Sequence, residues 1–275
     1  MKHEDLLSEL TPRVCDLARE VGEYLREERR TFDTDRVEEK GLHDYVSYVD
    51  REAERRVVAG LSSLLPGAGF ITEEHTAAYR GEEYFWIIDP LDGTTNYVHD
   101  KSPYSVSIAL GCVREGLIAG VVYDVCRDEC FYAWRCGGAY VNGEPIRASL
   151  CERFEASYVH IGLPYDAERY RPMATALLHD LYGRVGAVRI CGSAAMDICN
   201  VAAGRVEAYI EPGLHVWDIA AGVVILREAC GRVSDFDASE LLTSDVSPAM
   251  WRDMQYDVLA TNSLLHDTFL SIIEV

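Results

Sequence analysis

The 275-residue sequence predicts an α+β fold, on three observations. An amphipathic helical repeat opens the chain. Apolar, β-branched and aromatic segments separated by turn residues fill its middle. After residue 156, strand-like and helix-like segments alternate. The first half therefore reads as helices with an antiparallel meander sheet, and the second as a mixed sheet with covering helices.

Each element has a local reason. Leu6, Leu10, Val14, Leu17, Val21 and Leu25 recur at three- and four-residue spacing, which predicts a helix over 6–28. The polar stretch Thr31 to Asp44 reads as a loop. A second helix is expected over 50–65, with Asp50 as its N-cap, Ala53, Val57, Leu61 and Leu64 on one face, and Pro66-Gly67 as its stop. Short strands follow at 70–72, ending in Glu73-Glu74, and at 84–88, where Tyr84, Phe85 and Trp86 are core and Asp89 ends the strand. Segments 105–111, 117–124 and 130–134 continue the meander, with turns at Gly116, Asp128 and Gly137-Gly138. Strands at 157–161, 188–191, 206–210 and 258–260 then alternate with helices at 167–181, 193–203, 216–229 and 264–273. No low-complexity linker intervenes. The chain reads as one catalytic unit, 1–275, with two α/β halves and a seam near 143–156.

Composition narrows the partners. With 46 acidic residues against 26 basic ones the net charge is -20. Such a surface repels nucleic acid backbones and anionic membranes, so neither is an expected partner. It also repels a free phosphate ester, unless a bound cation reverses the field locally; Mg²⁺ is the simplest candidate. The nine cysteines are scattered, without paired CxxC clusters, which argues against a structural zinc site. The N-terminus has no signal-peptide core, and no apolar run reaches the ~18 residues of a membrane span. A reducing cytoplasm and mostly buried thiols are expected.

The most informative segment is Trp86-Ile-Ile-Asp-Pro-Leu-Asp-Gly-Thr-Thr-Asn96. A buried strand ending in two acids, Asp89 and Asp92, aims charge at one point. The Leu91 carbonyl lies between them. Gly93 lets the backbone approach a ligand, and Thr94 adds a hydroxyl where a helix N-terminus holds an anion. Asp50, Glu73 and Asp218 also stand at expected strand ends or helix starts. Carboxylates and carbonyls are the donors that hard cations take. Paired ions about 4 Å apart clamp the attacking and leaving oxygens of phosphoryl transfer.

This segment, extended to His99, resembles the first signature of the inositol monophosphatase family, Mg²⁺-dependent and lithium-sensitive phosphomonoesterases. Trp217-Asp-Ile-Ala-Ala-Gly222 with Glu228-Ala-Cys-Gly-Arg232 resembles the second. Gly192-Ser-Ala-Ala195 and Gly138-Ala-Tyr-Val-Asn-Gly143 match further stretches, in consistent order from Lys40 to the C-terminus. The resemblance implies a layered α-β-α-β-α sandwich, commonly a homodimer, and hydrolysis of inositol monophosphate or a related small phosphorylated polyol. It implies two or three Mg²⁺ ions on Glu73, Asp89, Asp92, Asp218 and the Leu91 carbonyl. Asp50 and Thr94, with Glu73, would activate the attacking water. Gly93 and Thr94 would hold phosphate beside Asp92 and Asp218. Glu211, Gly192, Ser193 and Ala194 would line the substrate pocket, and Lys40 would sit on a mobile loop over the metals. The chain departs from the family at Thr72, where glycine is common, and in the spacing from Lys40 to Asp44, one residue shorter. Fructose-1,6-bisphosphatase and 3′(2′),5′-bisphosphate nucleotidase share the fold and chemistry; Thr95-Asn96, where the nucleotidase usually carries Lys-Glu, counts against the latter. A silent binding or regulatory protein is the non-enzymatic alternative, opposed by the complete acid set.

Overall fold

The computed structural model describes residues 3–32, 38–41, 44–46 and 48–273. Helix α1 (His3–Arg30) leads through a short hairpin, β1 (Glu38–Gly41) and β2 (Asp44–Val46), to α2 (Tyr48–Leu64). A seven-stranded sheet follows: β3 (Gly69–Thr72), β4 (Tyr84–Asp92), β5 (Ser105–Cys112), β6 (Gly116–Asp124), β7 (Glu129–Trp134), β8 (Gly138–Val141) and β9 (Glu144–Pro145), hydrogen-bonded in that order. Only its first pair, β3 and β4, is parallel. The short helix α3 (Thr94–Val98) interrupts it after β4.

The second sheet has five strands in the order β11-β10-β12-β14-β13. They are β10 (Tyr158–Ile161), β11 (Ala187–Arg189), β12 (Ala208–Leu214), β13 (Arg232–Ser234) and β14 (Tyr256–Thr261). Strands β11, β10 and β12 run parallel, and β14 pairs antiparallel with β12 and β13. The connections carry α4 (Ala167–Leu181), α5 (Ala194–Ala202), α6 (Val216–Glu228), α7 (Pro248–Trp251) and α8 (His266–Ile273).

Side-chain alternation along each strand sorts these elements into five layers. On β4, Trp86 and Ile88 face α1 and α2, packing with Val21, Leu25, Val57 and Leu61. Phe85 and Ile87 point the other way, onto the layer of α5 and α6. That layer also meets Tyr209, Val258 and Ala260 of the five-stranded sheet. The opposite face of this sheet, with Val159, Ile210 and Leu259, is closed by Leu177 and Leu181 of α4 and Phe269 of α8. The order is α-β-α-β-α, as the family resemblance implies. A helix between two sheets must be apolar all round. Accordingly α6 buries every residue from Ile219 to Leu226.

Several boundaries differ from expectation. The polar stretch after α1 contains the β1–β2 hairpin rather than an unbroken loop. Asp50 lies inside α2 and is buried, not exposed at its N-cap, because the helix already begins at Tyr48. Strand β4 runs on through Pro90 to Asp92; pairing with β5 shifts register between Asp89 and Asp92, a break in the ladder where a proline fits. The β8–β9 hairpin, β13 and α7 are short elements without a strong periodic signal, and the sequence reading passed over them. The thiols are less hidden than expected: Cys15, Cys112, Cys130 and Cys199 are buried, whereas Cys126, Cys136 and Cys230 are exposed. Among the described residues, no helix is long and apolar enough to cross a membrane.

The close approach of the central helices to the seven-stranded sheet depends on Gly120. A Cβ there would stand 2.5 Å from the Ala221 carbonyl oxygen and 3.0 Å from its Cα. Both contacts are to backbone, so α6 itself would have to move. We expect Gly120→Ala to destabilise the fold by about 1–3 kcal/mol. Urea denaturation should report this as a lower midpoint with an unchanged slope.

Candidate metal and phosphate site

The parallel pairing of β3 with β4 sets the first two acids side by side. Thr72 lies opposite Ile88, and the Glu73 amide donates to the Ile88 carbonyl at 3.3 Å. Glu73 and Asp89 therefore leave adjacent strands at the same level. The Asp89 carboxylate accepts the Leu91 amide at 2.9 Å, which tightens the Asp-Pro-Leu turn. The register shift then swings Asp92 towards the start of α5. There its Oδ2 accepts from Ser193 Oγ at 2.5 Å, the Ala195 amide at 3.0 Å and Ser105 Oγ at 3.3 Å.

Ser193 holds the N-cap position of α5 but makes no capping bond itself; its hydroxyl is committed to Asp92. The Asp92 carboxylate supplies the missing acceptor from a distant strand. Asp218 is placed by α6, where its Oδ2 accepts the His215 amide at 2.6 Å in a capping box. Two helix N-termini thus face the acids, and their dipoles favour negative charge there.

The electrostatics are those of crowded like charges. Burial, then the charges of Glu73, Asp92 and Asp218, push the Asp89 carboxyl well above the usual carboxylate range. Burial, then Glu73 and Asp92, does the same to Asp218. Burial pushes Asp92 up to about 6, with the Ser193 and Ala195 donors holding it down. No lysine or arginine among the described side chains offsets these three. Buried carboxylates without a partner either take up protons or share a cation. Every donor in the cluster is oxygen, which suits a hard divalent ion such as Mg²⁺. Glu73, Asp89, Asp92 and Asp218, with the Leu91 carbonyl, are the oxygen groups here that could hold it.

Beside the acids, Thr94 bridges two layers. Its hydroxyl lies 3.0 Å from Asp50 Oδ1 and 3.0 Å from the Leu91 carbonyl oxygen, and donates its one proton to either. Gly93, at φ 89°, turns the chain from β4 into α3. A Cβ at Gly93 would lie 3.0 Å from the carbonyl oxygens of both Gly192 and Pro103. Conformation and space both demand glycine here.

Asn96 is the residue that sequence reasoning missed. Its side-chain amide donates to the carbonyls of Pro103 at 2.7 Å and Cys191 at 2.8 Å. It thereby pins the 191–192 turn against the acid turn, and Gly192 accommodates this with φ 79°. Asn96 stood inside the signature segment, but only its distance in sequence from residue 191 separated it from a role.

Glu211 stands on β12. The Tyr209 hydroxyl donates to its carboxylate, and burial, aided by Asp197 and Asp92, pushes its carboxyl up to about 8. Gly162 backs directly onto this side chain, and any Cβ there would collide with the carboxylate. Tyr165 reaches the site as well, its hydroxyl 2.9 Å from Thr95 Oγ1. The segment after β10 therefore touches the signature turn. Lys40 lies on β1, but its side chain falls outside the described residues.

Comparison with known proteins follows this geometry. The model of the inositol monophosphatase family matches residues 6–274. An inositol-1-monophosphatase of Mesorhizobium japonicum is 42% identical over 204 residues, 73% of this chain and 76% of the relative. The Nus factor SuhB of Haemophilus influenzae is 38% identical over 223 residues, 80% of this chain and 83% of that protein. A solved IMPase of Thermotoga maritima superposes with a TM-score of 0.83 at 32% identity, covering 94% of each chain. The chain belongs to the inositol monophosphatase family.

Proposed function

We propose that the chain is a Mg²⁺-dependent phosphomonoesterase acting on inositol monophosphate or a related small phosphorylated polyol. One observation carries this reading above all: buried Asp89 and Asp92 lie close enough to Asp218 and Glu73 for their charges to interact, with no lysine or arginine among the described side chains in an ion pair with Asp89, Asp92 or Asp218, beside the Asp50–Thr94 pair. The 42% identity to a protein named inositol-1-monophosphatase supports the choice of ester. We treat residues 1–275 as one catalytic unit, since a single core cluster joins side chains of both large sheets.

In this mechanism Glu73, Asp89, Asp92, Asp218 and the Leu91 carbonyl would hold two or three Mg²⁺ ions. The chemistry such ions supply is neutralisation of the ester dianion and of the leaving alkoxide, together with a lowered pKa for bound water. The protein's own groups do the rest. Thr94 donates its hydroxyl proton towards Asp50, which leaves its oxygen lone pairs to accept a proton from the attacking water. Asp50, buried in α2, is the sink for that proton. The amides of Gly93 and Thr94 at the start of α3 hold phosphate oxygens. Glu211 accepts from hydroxyls of the polyol, and Gly192, Ser193 and Ala194 shape the wall beside it. Positioning and charge account for the rate, and no cysteine nucleophile is required.

A second reading, that the chain acts as a Nus factor, is favoured by the 38% identical relative of that name. Complementation of a SuhB-deficient strain by the Asp89→Asn chain would favour it, because the acid set would then be dispensable.

Phosphate release from inositol 1-phosphate should require Mg²⁺ and stop on chelation. Asp89→Asn should lower kcat by about 10²-fold or more; full activity in this variant would overturn the reading. The same substitution removes like-charge repulsion, so it should raise the melting temperature of the metal-free protein, measured by calorimetry in chelator. Thr94→Ala should reduce kcat by about 10²-fold at saturating Mg²⁺, with metal affinity retained. Glu211→Gln should raise KM for the polyol ester while leaving turnover of an aryl phosphate nearly unchanged.

A further inference from the structure

Away from the acid set, and unused by the mechanism above, stand His160 on β10, Cys191 before α5 and Asp197 in the first turn of α5. Each offers one ligand atom, and these atoms lie within 4.8 Å of one another. His160 Nδ1 is 2.5 Å from Asp197 Oδ1. Cys191 Sγ lies 3.7 Å from His160 Nδ1 and 3.9 Å from Nε2. His160 and Asp197 are buried, whereas Cys191 is partly open to solvent, which gives an ion a way in. Asp197 has the His160 ring and the Cys191 thiol as its partners, and no lysine or arginine among the described side chains forms an ion pair with it.

We propose that His160, Cys191 and Asp197 form a second metal site, selective for a soft divalent cation of the Zn²⁺ class and separate from the Mg²⁺ acids. The donor set decides the selectivity. Nitrogen and thiolate sulfur favour Zn²⁺, whereas the oxygen-only acid set favours Mg²⁺. The spacing is close to what the ion needs. Bond lengths of about 2.3 Å to sulfur and 2.0–2.1 Å to nitrogen, at tetrahedral angles, put the two ligand atoms roughly 3.6 Å apart. The Cys191–His160 separation already matches. His160 and Asp197 must open to roughly 3.3 Å, which small side-chain rotations provide. Three protein ligands leave a fourth position open on the solvent side.

The proton balance is simple. Nδ1 gives up the proton it shares with Asp197 by changing tautomer, so that Nε2 carries it. The Cys191 thiol loses its proton to solvent as the S–Zn bond forms. One proton is released per ion, with no redox change.

Position links the site to the pocket. The Cys191 carbonyl is the one that Asn96 holds at 2.8 Å. The negative charge of Asp197 is felt by both Asp92 and Glu211. An ion bound here would brace the 191–193 wall and cancel that charge. The inference rests on these three side chains and stands or falls separately from the phosphatase reading.

The test is titration of the full-length protein with Co²⁺, a spectroscopic stand-in for Zn²⁺, in excess Mg²⁺ to saturate the acids. One equivalent of Co²⁺ should produce a thiolate-to-cobalt charge-transfer absorption that Zn²⁺ abolishes. Cys191→Ser and His160→Gln should each lose it, and Asp89→Asn should keep it. Absence of the band in the unaltered protein, or its survival in Cys191→Ser, would overturn the site. If the variants do not fold, the unaltered protein still decides: Zn²⁺ should slow alkylation of Cys191, followed by mass spectrometry, at least tenfold relative to Mg²⁺ alone. Equal rates would refute the proposal.

Discussion

The structure is organised around mutual repulsion among carboxylates in a poorly hydrated place. After burial itself, Glu73, Asp92 and Asp218 raise Asp89, Glu73, Asp92 and Glu211 raise Asp218, and Asp197 raises Asp92; among the described side chains only His215, 3.9 Å from Asp218, stands as an ion-pair partner. Taking several charges from water to one buried point is costly unless something positive joins them. The fold meets part of that cost with oriented donors. Ser193, the Ala195 amide and the Ser105 hydroxyl serve Asp92, and the His215 amide serves Asp218. The remainder is the cost that a bound cation would offset, as the proposed function requires.

The five-layer arrangement follows from the same requirement. The acids come from β3, β4 and α6, and their partners from α5 and the turn before α6. These elements converge only because α5 and α6 are packed between the two large sheets. Being buried on nearly all sides, these helices are held firmly, and their N-termini can be aimed. Gly120 and Gly222 let the central layer close up: a Cβ at the first would meet Ala221 backbone, and one at the second would meet Ile198. The precision of the acid cluster thus depends on apolar packing one turn along the same helices that carry or cap the acids.

Much of this was legible in the sequence. The long helices, the meander and the alternation after residue 156 follow from periodicity. Asp89, Leu91, Asp92, Gly93 and Thr94 were legible because one short segment contains both the end of an apolar strand and the turn after it. Asp218, Glu73 and Asp50 gained meaning from the ordered resemblance of several motifs, since a single acid at a helix start carries no message. The short β8–β9 hairpin, β13 and α7 were not legible, as elements of two to four residues have too little periodicity to register. Asp50 was expected at the N-cap of the second helix, whereas it lies buried inside α2, bonded to Thr94. A polar residue near a helix start has the same sequence signature in either role.

By itself, then, the sequence determined the element types, the family and the acids on the central signature, because these depend on neighbours within a few positions. Tertiary structure alone decided other pairings: Asn96 with the Cys191 carbonyl, Ser193 with Asp92, Gly162 against Glu211, and His160 with Asp197. Each joins residues 35 or more positions apart in the chain, where local propensity carries no information. What brings them together is the burial of strand and helix faces in shared layers, a property of the whole packed chain.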